Sequence, residues 1–368
     1  MDNSDSKKAR GRRVHTRIML WSMLLIAVGA MVAPLGGYLF VEIADAQSTF
    51  EQTNPRSETT WRDVREGNVG VTTILGDETG VLIQNGGENW RQLRNGVVAN
   101  VMPWVLAAAV VAISLVFFIA GRMRLDERPS GQVVLRWKLW ERVLHWTTAT
   151  LFIVLSITGL SLLFGRAVLI PVLGPEGFAA YATVAMNSHN YVGPVFTLCV
   201  AAMALAWVWH NVPNKTDLAW FKAGGGFLKG KHPSAGRMNG GEKLWFWFIM
   251  LVGGVVCATG VVMDFPIWGQ TRETMQQANL VHAVASILWI GLFLGHAYIG
   301  TVGTQGAIDG MTTGYSSVEW AKQHHDLWYE EVKDQAVDAD DIGLTRGVAV
   351  SMTGTEKAPG SERPASSG

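Results

Sequence analysis

Cysteine is almost missing from this chain: Cys199 and Cys257 are the only two in 368 residues, each inside an apolar run. Two thiols cannot furnish a four-cysteine iron–sulfur site, and no Cys-x-x-Cys-His occurs for covalent haem attachment. Both read as small packing residues. Charge is scarce as well, at 16% of the chain. Lys+Arg and Asp+Glu balance at 30 each, so no basic excess points to nucleic acid. Intramembrane carboxylates are rare too. Asp264, at the end of its apolar run, is the main one, whereas a proton or ion transporter is expected to bury several. In place of charge there is apolar surface. Hydrophobic residues make up 49%, tryptophan occurs 16 times, and mean hydropathy is +0.19. That is the composition of an all-α integral membrane protein with aromatic residues for its interfaces.

Residues 1–46 have the layout of a secretory signal peptide. A basic start (Lys7, Lys8, Arg10, Arg12, Arg13, Arg17) precedes an apolar core from Ile18 to Val32, and Ala44-Asp45-Ala46 offers a small-x-small cleavage site. An uncleaved signal anchor is the alternative. Either places residue 47 onward outside the cytoplasm. Residues 47–96 are polar. Val71–Leu75 and Gly80–Gln84, separated by Gly76–Thr79, predict a β-hairpin with a four-residue loop, and Asn85-Gly86-Gly87 a further turn. The segment is too short for a large core and is expected to pack on the membrane domain or a partner.

Five apolar runs follow: Val97 to Ala120, Trp140 to Phe164, Ala179 to Val208, Leu244 to Phe265 and Asn279 to Val302. Each is long enough to span a bilayer as a helix. The connections 121–138 and 213–243 are rich in Lys and Arg, while the alternate ones hold only Arg166 and Arg272. The positive-inside rule puts the rich loops and the C-terminus in the cytoplasm and the mature N-terminus outside. The expected division is therefore a single helix over 97–121, a four-helix domain over 134–312 and a cytoplasmic tail over 313–368. In the tail, Ser316 to Lys333 reads as one amphipathic helix capped by Ser316 or Ser317, with Trp320 and Trp328 available to the membrane interface. Past about Asp338 the composition reads as disordered.

The fifth run carries His282 and His296 and no acidic or basic residue. Fourteen residues at about 100° each put both imidazoles on one face, ~21 Å apart along the axis. A histidine inside a membrane helix is costly and is a functional hypothesis by default. With the topology above, His189 and His282 share the outer level and His145 and His296 the inner level. Two facing pairs at two depths can supply the axial nitrogens of two b-type haems, with no open position for oxygen. A lone membrane histidine is more often a packed, hydrogen-bonded residue; it is the pairing by depth that favours ligation. His210, near a helix exit marked by Asn211, Pro213 and Asn214, competes for the inner level but reads better as a capping or interfacial residue. His232 reads as solvated. His324-His325 has no further metal ligands nearby. Gly159, Gly193, Gly254 and Gly291 allow either a porphyrin edge or helix packing.

The chain resembles the cytochrome b (gamma) subunit of membrane-bound formate dehydrogenase. The resemblance covers about Trp137 to Val332. It rests on Arg142-Val-Leu-His-Trp146, Val208-Trp-His-Asn-Val-Pro213, Asn239-Gly-Gly-Glu-Lys243, Leu280-Val-His282, His296-Ala-Tyr298, Gly306-Ala-Ile-Asp-Gly-Met311 and Trp320-Ala-Lys-Gln-His-His325. The extra N-terminal region is similar to a longer version of the subunit; the shorter form has only the four-helix core. The resemblance implies a di-haem four-helix bundle with His145, His189, His282 and His296 on the haem irons. It also implies a quinone site beside the inner haem, lined by Asn239 and Gly241 with His296 nearby. Position 242 is Glu here, where the shorter form carries an uncharged amide. On residue pattern alone, Asn239-Gly240-Gly241 reads as a turn before a helix.

By resemblance the setting is the bacterial inner membrane, with a catalytic alpha subunit holding molybdenum or tungsten and an iron–sulfur beta subunit as partners. Electrons from formate would pass from the outer haem to the inner haem and reduce menaquinone or ubiquinone at the cytoplasmic side. By the same resemblance the formate chemistry belongs to the catalytic partner, and no residue of this chain is expected to be catalytic. Two other readings fit the same pattern. One is a di-haem quinone-reducing anchor of a hydrogenase or thiosulfate reductase. The other is a membrane anchor or transporter with structural histidines.

Overall fold

The computed structural model describes residues 85–225 and 232–344. The leader, the hairpin expected over 71–84 and the tail past 344 lie outside the described residues. Five helices are long and apolar enough to cross a membrane: Gly87–Ala120, Leu139–Val168, Ile170–Asn211, Gly240–Asp264 and Arg272–Gly303. All five expected spans are therefore present as helices, and the chain is a multi-pass membrane protein.

The first span begins about a dozen residues before the expected start. Asn85-Gly86-Gly87, expected as a turn, instead opens a helix over Asn85–Gln92. The helix widens to a π segment over Leu93–Val98 and continues over Ala99–Ala120. Glu88 explains the early start: its carboxylate accepts from Arg91 at 2.8 Å and Gln92 at 3.1 Å. Those contacts put an acid in the first turn and tie the i+3 and i+4 positions to it. Pro103 has no N–H for the preceding turn, and the wider π winding lies just upstream. This span packs on the fifth and leaves Trp104, Phe118 and Ile119 uncovered by the chain.

The second and third spans form an antiparallel pair. Gly174 turns the chain between them with a φ of 71°, and Pro175 restarts the helix. Gly165 admits the Phe178 ring where a Cβ would collide with it. In the middle of the bundle Leu151, Phe152, Val192, Phe196, Val200, Val256 and Trp289 form the buried core. Its aromatic rings touch in sequence: Phe152 lies 5.1 Å from Trp289 and 4.8 Å from Phe293, and Phe196 lies 5.6 Å from Trp289. Gly253, in a second π segment (Ile249–Gly253), leaves room for Trp289, whose ring would stand 2.7 Å from an added Cβ.

At the end that carries the basic loops, a small polar cap closes the bundle. Strand β1 (Gln132–Leu135) is central in a three-stranded antiparallel sheet with β2 (Tyr315–Ser317) and β3 (Val337–Asp338). Val133 pairs with Ser317 on one side and Val337 on the other. Helices α1 (Lys215–Lys222) and α2 (Ala307–Thr313) complete the rim. The tail corrects the single amphipathic helix expected over 316–333. It forms β2, then α3 (Val318–His324), a break at His325, and α4 (Asp326–Val332). Ser317 is the N-cap, accepting from the Trp320 N–H at 3.2 Å. Trp320 and Trp328 are 6% and 4% exposed, not presented to an interface. They fold inward because Arg136, at the end of β1, lies 4.4 Å over Trp320 and 5.8 Å from Trp328. That arrangement buries the cation among aromatic faces. Order also continues past Asp338: Ala339 donates to Gly131 at 2.9 Å and Leu344 to Ala339 at 2.7 Å.

Candidate functional site

The four membrane histidines meet in the two expected pairs. The ring centres of His189 and His282 stand 6.2 Å apart, and those of His145 and His296 stand 6.3 Å apart. The second, third and fifth spans supply all four. Between the two levels lies the aromatic core described above.

The outer pair is held by hydrogen bonds. His189 Nδ1 lies 2.9 Å from Thr158 Oγ1, whose own hydroxyl hydrogen is directed to the Val154 carbonyl. His282 Nδ1 lies 3.0 Å from the Val256 carbonyl oxygen and 3.1 Å from Thr259 Oγ1. A carbonyl can only accept, so His282 carries its proton on Nδ1 and leaves Nε2 as a lone pair. Gly159 and Gly260 make this close fit possible. An added Cβ would lie 3.1 Å from His189 Cε1 and 3.4 Å from His282 Cε1. A cavity of about 320 Å³ opens at this level, bounded by both histidines, Gly159, Gly193 and Gly260. Gly291 does not join it. It faces Ala109 of the first span at 3.6 Å and serves helix packing.

The inner pair is held differently. His145 Nδ1 is buried without a hydrogen-bond partner among the described residues. His296 stacks on Trp245 with ring centres 4.7 Å apart and a 9° tilt. His210 is not brought to this level: it is exposed, and its Nε2 lies 2.9 Å from Arg237 Nη1. His232 is exposed and meets Asp126 at 2.7 Å. His325 is fully buried, with Nδ1 against the Gly236 carbonyl at 2.7 Å. Burial and the nearby Arg136 hold it well below the usual histidine range, so it is neutral. No cluster of three or more metal-binding side chains occurs among the described residues.

Asn239 and Gly241 sit at the start of the fourth span. Asn239 Oδ1 accepts from Glu242 N at 2.9 Å, and Glu242 Oε2 accepts from Asn239 N at 2.9 Å, a reciprocal capping box. The Trp220 ring would stand 3.0 Å from a Cβ on Gly241. Glu242 is also the partner of Arg136, at 2.7 Å. Its charge is thus answered by a buried cation. Two other ion pairs are not visible in the sequence: buried Glu141 with partly exposed Arg237 at 3.1 Å, and Asp217 with Lys243, both largely buried, at 3.0 Å. Glu141 precedes His145 by four residues, one turn away on the same helix face, and that spacing was the available signal.

Residues 136–314 match the prokaryotic cytochrome b561 family. The chain is 30% identical over 210 residues to the cytochrome b556(Fdn) subunit of the nitrate-inducible formate dehydrogenase of Escherichia coli K12. That alignment covers 55% of this chain and 93% of the relative. It is 29% identical over 208 residues to the formate dehydrogenase cytochrome b556 subunit of Haemophilus influenzae, covering 54% of this chain and 83% of that protein. The chain belongs to the cytochrome b subunits of formate dehydrogenase. It is therefore part of an enzyme complex, and its family implies haem b. The first span of this cytochrome b lies outside the matched family region.

The residues of the cytochrome b fit that group. A metal–imidazole nitrogen bond is ~2 Å long. Two rings facing one iron therefore stand ~6 Å apart at their centres, as both pairs do here. With Nδ1 engaged in the outer pair, the Nε2 atoms are the nitrogens that would face such an iron.

Proposed function

We propose that this subunit carries electrons from an iron–sulfur partner through two b haems to a quinone, with axial ligands His189 and His282 at the outer level and His145 and His296 at the inner level. The observation that carries this reading is the equal spacing of the two histidine pairs, 6.2 and 6.3 Å. When bound, haem supplies reversible one-electron chemistry. The chain's own residues do the rest. Thr158, Thr259 and the Val256 carbonyl aim the outer imidazoles. Trp245 holds the His296 ring from one side. Phe152, Phe196 and Trp289 fill the space between the levels and exclude water from it.

The basic end faces the cytoplasm in this reading, by the charge of its loops. Quinone binds there, beside His296 and the Asn239–Gly241 turn. The cap consumes Asn239 Oδ1. Its NH₂ group remains as a donor of the kind a quinone carbonyl accepts. Electrons move inward while protons for the quinol come from the cytoplasm, and formate oxidation by the partner releases protons outside. Charge separation follows without a pump.

Haem stoichiometry tests this in the complex purified with its catalytic and iron–sulfur subunits. Two b haems per chain are expected. His282→Ala is expected to keep one, to abolish quinone reduction and to spare formate oxidation with an artificial acceptor. One haem in the unaltered subunit, or two in the variant, overturns the assignment.

A further inference from the structure

The matched family region begins at residue 136, yet the first span, far upstream of it, reaches the outer cavity. Arg94 lines that cavity together with His189, His282 and Asn279. Among the described lining residues Arg94 is the only cation and Asp264 the only anion. The placement is built rather than incidental. Trp90 Nε1 donates to Asn279 Oδ1 at 3.3 Å and so ties the first span to the fifth, one turn before His282. Arg94 follows Trp90 by four residues, and its guanidinium carbon lies 5.9 Å from the Trp90 ring centre. Arg94 also falls inside the π segment Leu93–Val98, a kind of winding that recurs at functional sites because it re-aims side chains.

The state of the side chain is equally informative. Arg94 Nη1 donates to its neighbour Asn95 at 2.9 Å, and among the described residues it has no ion-pair partner. Arg91, three residues earlier, is exposed and already paired with Glu88 at 2.7 Å. The chain thus spends one arginine on its own helix and presents the next to a mostly apolar cavity. A b haem carries two carboxylates and no covalent tether. A carboxylate at such a cavity needs a cation, and the guanidinium fork matches it in shape.

We propose that Arg94 is the counter-cation of a haem propionate, so that the first span forms one wall of the outer haem pocket. This rests on the two-haem reading above. The cation favours the reduced, more negative state of the site, and its loss lowers the midpoint potential.

The test is an equilibrium redox titration of the assembled complex, followed at the b-type α band. The outer component is identified as the one missing in His282→Ala. Arg94→Gln is expected to lower the outer reduction equilibrium constant about tenfold, which is ~59 mV for a one-electron couple. The inner component stays where it was. Arg94→Lys keeps the charge without the fork and is expected to shift the outer component by about threefold. Arg91→Gln, on the same helix but outside the cavity, is expected to change nothing. An unmoved outer component in Arg94→Gln overturns the proposal, and so does an equal shift in Arg91→Gln. Should Arg94→Gln not assemble, Arg94→Met, which keeps the bulk of the side chain without its charge, takes its place with the same expected shift, and an unmoved midpoint there also overturns the proposal. Fewer than two haems in the unaltered complex defeats the two-haem reading itself, and this is seen before any variant is measured.

Discussion

The outer histidines answer to hydroxyls and carbonyls, the inner ones to aromatic rings. His189 and His282 each have Nδ1 in a hydrogen bond. His145 has none among the described residues, and His296 rests on Trp245. The difference is electronic as well as mechanical. A hydrogen bond from Nδ1–H to a carbonyl makes the imidazole a stronger donor to iron, which favours the oxidised metal. His145 Nδ1 has no partner among the described residues, so as a ligand it would lack that push. In the two-haem reading proposed above, this difference taken by itself would favour electron movement from the outer level to the inner one, with Arg94 acting in the opposite sense at the outer site.

The sharpest way to break this contrast is at Thr158. Thr158→Val removes the hydroxyl beside His189. It is expected to weaken outer haem retention by about 10-fold or more, the usual scale for an outer-shell partner. Thr259→Val should do less, because His282 keeps the Val256 carbonyl. Haem loss after dilution in detergent measures both. Equal losses would show that hydroxyls, not the carbonyl, dominate.

A smaller effect is expected at the basic end from Glu242→Gln. It takes the carboxylate away from Arg136, which is 4% exposed at its side chain. The cost is about 1–2 kcal/mol, limited because Glu242 itself is partly solvated. Thermal unfolding of the purified complex reads it. The outer haem spectrum should not change, whereas a change there would couple the two ends.

The smallest effect concerns pH. Burial raises the Asp309 carboxyl to about 6, with Arg122 opposing the shift. In the folded chain the proton is thus held to higher pH than in the unfolded one. Stability from this group is present at about pH 4 and fades as pH rises through about 6. Because Asp309 is partly exposed, the change is on the order of 1 kcal/mol. Asp309→Asn should flatten that decline, as thermal midpoints at about pH 4.5 and 7 would show. A decline of the same size in the variant would assign it to another group.

Much of this was readable in advance, and for a physical reason. Spanning helices are dictated by long apolar runs, and histidine depth follows from rise per residue. Both survive without knowledge of any tertiary contact. The cap was not readable because its logic is tertiary. Val133 finds Ser317 and Val337 across great chain distances. Arg136 turns two tryptophans inward that a helical pattern assigns to a membrane face. The start of the first span was missed because Asn85-Gly86-Gly87 carries turn chemistry, while Glu88 and its two local bonds decide for helix. At Asn239 the turn reading was sound as far as it went: the residue caps a helix.

The stack of Phe152, Phe196, Trp289 and Phe293 has one further consequence. These apolar rings offer no hydrogen-bond chain along which hydronium can hop. In the function proposed above, the membrane would stay sealed to ions at the very place where electrons cross, so a voltage built by turnover would not leak back along that path.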